Sequence, residues 1–271
     1  MSKIERHRCE LEILFSDFFQ TKDYNPLMNY LTRNSNLPGR RANLELAKAF
    51  TMVIEDNWKG NEELIWKFIT ILCDITPNQA PTNDPKEFLP FCATWTLGSI
   101  GVISKSHYKE VFYRLKELAN DSRWRIREAV AKGIHRLIEE NYEEATKELA
   151  TWILKNQYLL MRAVVTGVAE PNLLKNDQMK KQALTLHKEV FNEIMNRNDE
   201  KTDEFNVLKK GLAYSLSVVV QAIPEEGFRY MEELTTSQDK DIKWILKQNL
   251  KKNRLSKNFQ ATVRVLSNKL K

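Results

Sequence analysis

The sequence predicts an all-α protein, a right-handed α-solenoid of about six to seven helical hairpins forming a single domain over residues 1–271. Three observations predict it. A helical phrase recurs, in which an apolar residue is followed by a basic one, then small or apolar filler, then an apolar residue eight positions after the first. It reads Ile126-Arg127 to Ile134, Leu208-Lys209 to Leu216 and Ile242-Lys243 to Leu250, with a looser copy at Met161-Arg162, so that successive copies lie 35, 47 and 34 residues apart. Units of that size cannot bury their apolar face alone and must stack. Next, 8 Gly and 8 Pro in 271 residues leave long stretches free for helices, while a 42% apolar fraction supplies a core. Finally, apolar residues recur at three- and four-residue spacing in segment after segment.

Taken in order, Ile4, Leu11, Ile13, Leu14, Phe15, Phe18 and Phe19 give a first helix one broad apolar face, and a short helix follows at Leu27–Leu31. Arg33–Arg41 contains Asn34, Ser35, Asn36, Pro38 and Gly39, and so predicts a loop entering a helix at Ala42–Ala47. Helices are expected at Glu62–Cys73, Phe88–Ile103, His107–Ala119, Arg123–Glu140, Glu143–Lys155 and Tyr158–Val168. Between Thr76 and Pro90, Pro77, Pro81, Pro85 and Pro90 forbid a continuous helix, which makes this the longest loop. The second half predicts helices at Gln178–Met195, Val207–Ala222, Glu225–Leu234, Asp239–Asn253 and Ser256–Lys269, with a polar break at Asn196–Asp203.

The net charge of +6 is uneven: Thr236–Lys271 holds ten Lys or Arg against two Asp, a local +8, so the remainder nets −2. Such asymmetry points to a polyanion or an acidic protein partner. Cys9, Cys73 and Cys92 stand singly and suit reduced core thiols, and His7, His107, His135 and His187 form no metal-ligand pair, so no metal or cofactor is implied. Without an apolar run long enough to span a bilayer, and with mixed charges over Met1–Glu10, a soluble, cytoplasmic monomer is expected.

The stretch Asp121-Ser-Arg-Trp-Arg-Ile-Arg-Glu-Ala-Val-Ala-Lys-Gly-Ile134 resembles the second helix of a HEAT-like repeat, with partial copies at Leu208–Leu216 and Ile242–Leu250. Physically, Asp121 can accept the orphan N–H groups of a helix start, Ile126, Val130 and Ile134 form the inward stripe, and Ala129 and Gly133 permit close approach. In HEAT-like arrays the second helices line the concave face. The resemblance therefore implies a basic ladder of Arg123, Arg127, Lys132, Arg162, Lys209 and Lys243, extended by Lys247 and Lys251, and a DNA-binding role. The alternative use of each cation is to bond an acid or a helix end within the array. A protein-protein scaffold is the second functional reading.

Among HEAT-like proteins the chain is also distantly similar to the bacterial DNA alkylation-repair glycosylases. That likeness implies an Asp flanked by aromatic side chains, for which Asp121 with Trp124, and Asp241 with Trp244, are the candidates. The family's Trp followed by Asp one turn later is absent, and Glu128, four residues after Trp124, is the nearest substitute. Two phrases look too idiosyncratic for linkers: Leu37-Pro-Gly-Arg-Arg-Ala-Asn-Leu-Glu-Leu46 and Asn83-Asp-Pro-Lys-Glu-Phe-Leu-Pro-Phe-Cys92. In the first, Arg40 and Arg41 precede a helix start and are expected to hold an anion.

Overall fold

Helix periodicity and the scarcity of Gly and Pro are realised as 15 α-helices in the computed structural model, which describes residues 1–197 and 202–271. No strand occurs among those residues. The chain divides into two compact units, Met1–Leu137 and Ile138–Lys271.

The first unit contains α1 (Lys3–Thr21), α2 (Asn25–Arg33), α3 (Leu44–Asn57), α4 (Glu62–Cys73), α5 (Phe88–Ile103), α6 (Tyr108–Leu118) and most of α7 (Trp124–Glu140). Helices α1, α3 and α5 pack side by side in chain order, with α4 and α6 laid against α5. This alternation, in which every second helix is a neighbour, is the order of an α-solenoid. Phe15, Phe18, Phe50 and Phe68 from three of these helices meet in one buried cluster, the Phe18 and Phe68 centroids 5.3 Å apart. Ile126, Val130 and Ile134 are fully buried, as their stripe predicts. Helices α5 and α7 cross at Gly98 and Gly133, where a Cβ on Gly98 would collide with the Gly133 carbonyl. Only glycine permits that approach.

The second unit contains α8 (Tyr142–Ala150), α9 (Tyr158–Val168), α10 (Asp177–Met195), α11 (Asp203–Ala222), α12 (Pro224–Leu234), α13 (Lys240–Leu250), α14 (Asn253–Ser256) and α15 (Gln260–Lys269). Here α9, α11 and α13 pack side by side, α10 lies on α9 and α11, and α12 lies on α11 and α13. Buried Asn249 ties α13 to α11: its Nδ2 donates to the Leu212 carbonyl (2.9 Å) and its Oδ1 accepts from Ser217 N–H (2.8 Å). His187 is fully buried between the Ala183 carbonyl (2.8 Å from Nδ1) and Ser215 Oγ (2.9 Å from Nε2). A carbonyl only accepts, so Nδ1 carries the proton and Nε2 accepts from the serine.

The expected helix Glu143–Lys155 stops at Ala150, and Asp239–Asn253 stops at Leu250 with α14 as a separate turn. The polar break expected at Asn196–Asp203 lies in part, at 198–201, outside the described residues; α11 begins at Asp203, capped by Thr202. No helix among the described residues is long and apolar enough to cross a membrane.

Candidate functional site

The two unusual phrases of the sequence converge on one side chain, Arg125 of α7. Its Nη1 donates to Glu87 Oε2 (2.9 Å), and its Nη2 donates to the Gly39 carbonyl (2.6 Å) and Asn83 Oδ1 (3.2 Å). Asn83 closes the node, since its N–H donates to Glu87 Oε2 (2.7 Å) and its Oδ1 accepts from Gly39 N–H (3.0 Å). Glu87 is 0% exposed and Arg125 is buried, so this is an ion pair inside the fold. It fixes the turn around the cis Leu37–Pro38 bond and the end of the Pro-rich loop against the first turn of α7.

That anchoring sets Arg40 and Arg41 at the mouth of a cavity of about 260 Å³. Phe91 and Trp95 of α5 and Trp124 of α7 supply aromatic wall, Leu44 adds an aliphatic edge, and Glu128 and Lys132 lie one and two turns beyond Trp124. Trp95 stands edge-on to Phe91 (5.9 Å between centroids), and the Arg125 guanidinium lies 4.4 Å from the Trp124 ring centre. Trp124 and Leu44 are 45% and 48% exposed and border the same hollow. Among the described residues, neither Arg40 nor Arg41 enters an ion pair. Cations with unused hydrogen-bonding capacity thus rim an aromatic hollow.

Other predicted site residues are placed differently. Arg123 is 1% exposed: its guanidinium donates to both Asp121 oxygens and to the Ala80 and Ile75 carbonyls, so it braces the Pro-rich loop and does not face a groove. Asp121 also accepts the Arg123 N–H (2.7 Å), and its pairing removes it from the cavity that Trp124 lines. Arg127 donates to the Asp121 and Ser122 carbonyls just ahead of α7. The array's own backbone therefore engages two of the expected ladder cations.

In the second unit, Arg162 is buried with its stem near Gly211. Lys209 Nζ pairs with Asp241 (2.7 Å) and lies 4.6 Å from the Trp244 ring centre. Asp241 is itself buried and also paired with Arg197, so it does not join the exposed Trp244 in a site. On α13, Lys243 is half-buried and Lys247, one turn on, is exposed, while exposed Lys251 directly follows the helix. Nearby in sequence, Arg254 lies over the exposed Tyr214 ring (4.7 Å) and donates to its hydroxyl, with Lys252 5.6 Å from the same ring. Sequence reasoning missed this cation–aromatic cluster and the Arg125 node.

A larger hollow of about 520 Å³ lies among Lys3, Arg6, His7, Tyr30 and Arg33. Asn43 Oδ1 caps α3 by accepting from Leu46 N–H, so its Nδ2 is the donor facing His7 Nε2 (3.3 Å), and His7 Nδ1–H donates to Tyr30 Oη (2.8 Å). Burial and then the neighbouring Arg6 charge hold the His7 pKa below its ordinary value.

No protein-family model matches the chain, and no curated protein sequence matches it. Solved structures with similarity include a designed armadillo repeat protein (15% identity, 84% of this chain and 99% of that one, TM-score 0.33). An engineered protein has 13% identity over 98% of each chain, TM-score 0.36. Another designed armadillo repeat protein, in complex with the peptide (KR)4, has 12% identity over 84% of this chain and 99% of that one, TM-score 0.30.

Proposed function

We propose that this chain binds nucleic acid, with the first unit's aromatic cavity and cationic rim as its principal contact. The observation that carries the reading is the placement of Phe91, Trp95 and Trp124 around one hollow whose mouth holds Arg40 and Arg41. Aromatic faces stack bases and arginines bond phosphate oxygens, and the two together are the chemistry of a nucleotide contact. Lys247 of α13 and Lys251 just after it, with Arg254 and Lys252 over Tyr214, support the reading as a second cationic surface in the other unit.

Fluorescence anisotropy of a labelled oligonucleotide at about 50 and about 200 mM salt tests it, because neutralising several phosphates costs orders of magnitude in affinity over that range. Salt-sensitive binding that weakens in Arg40→Ala/Arg41→Ala and in Lys247→Ala/Lys251→Ala is expected. No binding even at the lower salt would end the nucleic-acid reading.

An acidic protein segment with an apolar anchor is the second reading, favoured by the exposure of Leu44 beside Trp124. In the glycosylase reading the carboxylate is Glu128, which lines the aromatic cavity with Trp124, whereas Asp121 is not part of that lining. Base release from alkylated DNA that disappears in Glu128→Gln would support it.

A further inference from the structure

We infer that the first unit's cavity receives a single unpaired nucleotide, so that strands offering an unstacked base are preferred over perfect duplex; this rests on the nucleic-acid reading above. Size is the first argument. At about 260 Å³ the hollow is smaller than the roughly 300–1,000 Å³ of sites that enclose drug-sized ligands, a size that suits one ring system better than a base pair. A base inside duplex has both faces covered by its neighbours and must be unstacked and unpaired before Trp124 or Trp95 can reach it. A base that is already unpaired avoids that cost.

Wall chemistry gives the second argument. Trp124 is close to half exposed although it belongs to a helix whose other apolar side chains are buried, and Trp95 of α5 lines the same hollow. Unoccupied, this leaves apolar ring surface in water. Stacked on a base, it is covered by a surface of matching shape, whichever base is present. The third argument is charge. Arg40 and Arg41 carry positive charge at the mouth, and the Gly39–Arg125 bond fixes the turn that bears them. A cationic ligand is disfavoured there, whereas a planar ring carrying a phosphate satisfies wall and rim together.

That chemistry has two sources, a nucleotide within a strand and a free mononucleotide, and the test separates them. Anisotropy would be measured for three labelled oligonucleotides of one sequence: single strand, perfect duplex, and duplex with a one-nucleotide bulge. AMP would serve as competitor, and 2-aminopurine at the bulge would report stacking by its quenching. Single strand and bulged duplex are expected to bind at least about tenfold tighter than perfect duplex, with 2-aminopurine quenched. Trp124→Ala should remove about tenfold for those two ligands, Trp124→Phe should restore most of it, and neither should alter binding of perfect duplex.

Equal affinity for all three, or equal losses in Trp124→Ala, would overturn the inference while leaving a nucleic-acid groove intact. Displacement by AMP at concentrations comparable to those of strand would overturn the strand assignment in favour of a free nucleotide. No salt-sensitive binding to any oligonucleotide would instead fail the functional reading itself. Because Trp124 is exposed, an unchanged thermal melt verifies that Trp124→Ala is folded.

Discussion

Replacing Arg125 by Met removes the cation of a buried pair and leaves Glu87 with a carboxylate at 0% exposure. Three hydrogen bonds disappear together, to Glu87 Oε2, to the Gly39 carbonyl and to Asn83 Oδ1. Bonds involving charged groups contribute about 1.5–3 kcal/mol each, and removing one partner of a buried ion pair costs about 3–5 kcal/mol, so about 4 kcal/mol is expected. At an unfolding entropy of about 2.1 cal/mol/K per residue, that lowers Tm by about 14 °C if the first unit's 137 residues unfold alone, and by about 7 °C if all 271 unfold together. Arg125→Met/Glu87→Gln removes the stranded charge and should recover at least about 2 kcal/mol of the loss. Circular-dichroism melts and guanidinium titrations of the wild type, both single variants and the double variant form the cycle. A single-variant cost below about 1 kcal/mol, or strictly additive singles, would refute the node as the anchor of the cavity mouth.

The remaining predictions follow from individual side chains. Burial lowers the His187 pKa from 6.5 to about 4; the unfolded chain therefore binds the proton first, and stability falls as pH drops from 6.5 towards 4. The loss, about 3 kcal/mol in total at about 1.4 kcal/mol per pH unit, should be absent in His187→Gln when urea midpoints are compared at pH 7 and pH 4. Gly98→Ala should cost about 3 kcal/mol or more in urea unfolding, because the methyl meets the Gly133 backbone and not a movable side chain. In Arg40→Ala/Arg41→Ala, the slope of log affinity against log salt should become shallower by about 1.5 if both arginines contact phosphate; an unchanged slope removes them from the interface.

Helix spans and core stripes were legible because they depend on local periodicity: Ile126, Val130 and Ile134 announce their burial through spacing alone. The destination of each cation was not. Arg123, Arg125 and Arg127 look alike in sequence, yet one braces the Pro-rich loop, one enters a buried ion pair, and one bonds carbonyls ahead of its helix. For Arg123 a signal existed, since Asp121 two residues earlier is an immediate partner. Glu87 lies 38 residues from Arg125, and nothing local links them. Arg40 and Arg41 stood out because their phrase is irregular; that the second irregular phrase holds the first in place is a tertiary fact. Tyr214 falls inside the expected helix Val207–Ala222, and its contact with Arg254 spans 40 residues.

The crossing at Gly98 and Gly133 also joins the two helices that carry the cavity's indoles. Trp95 sits one turn before Gly98, and Trp124 begins the helix that carries Gly133. With backbone against backbone at the crossing, there is no layer of side chains to compress or swing aside. Main chain, and not an interdigitated layer, thus joins the helices that bear the two indoles, and a methyl at the crossing would be felt at the aromatic wall as well as in the core.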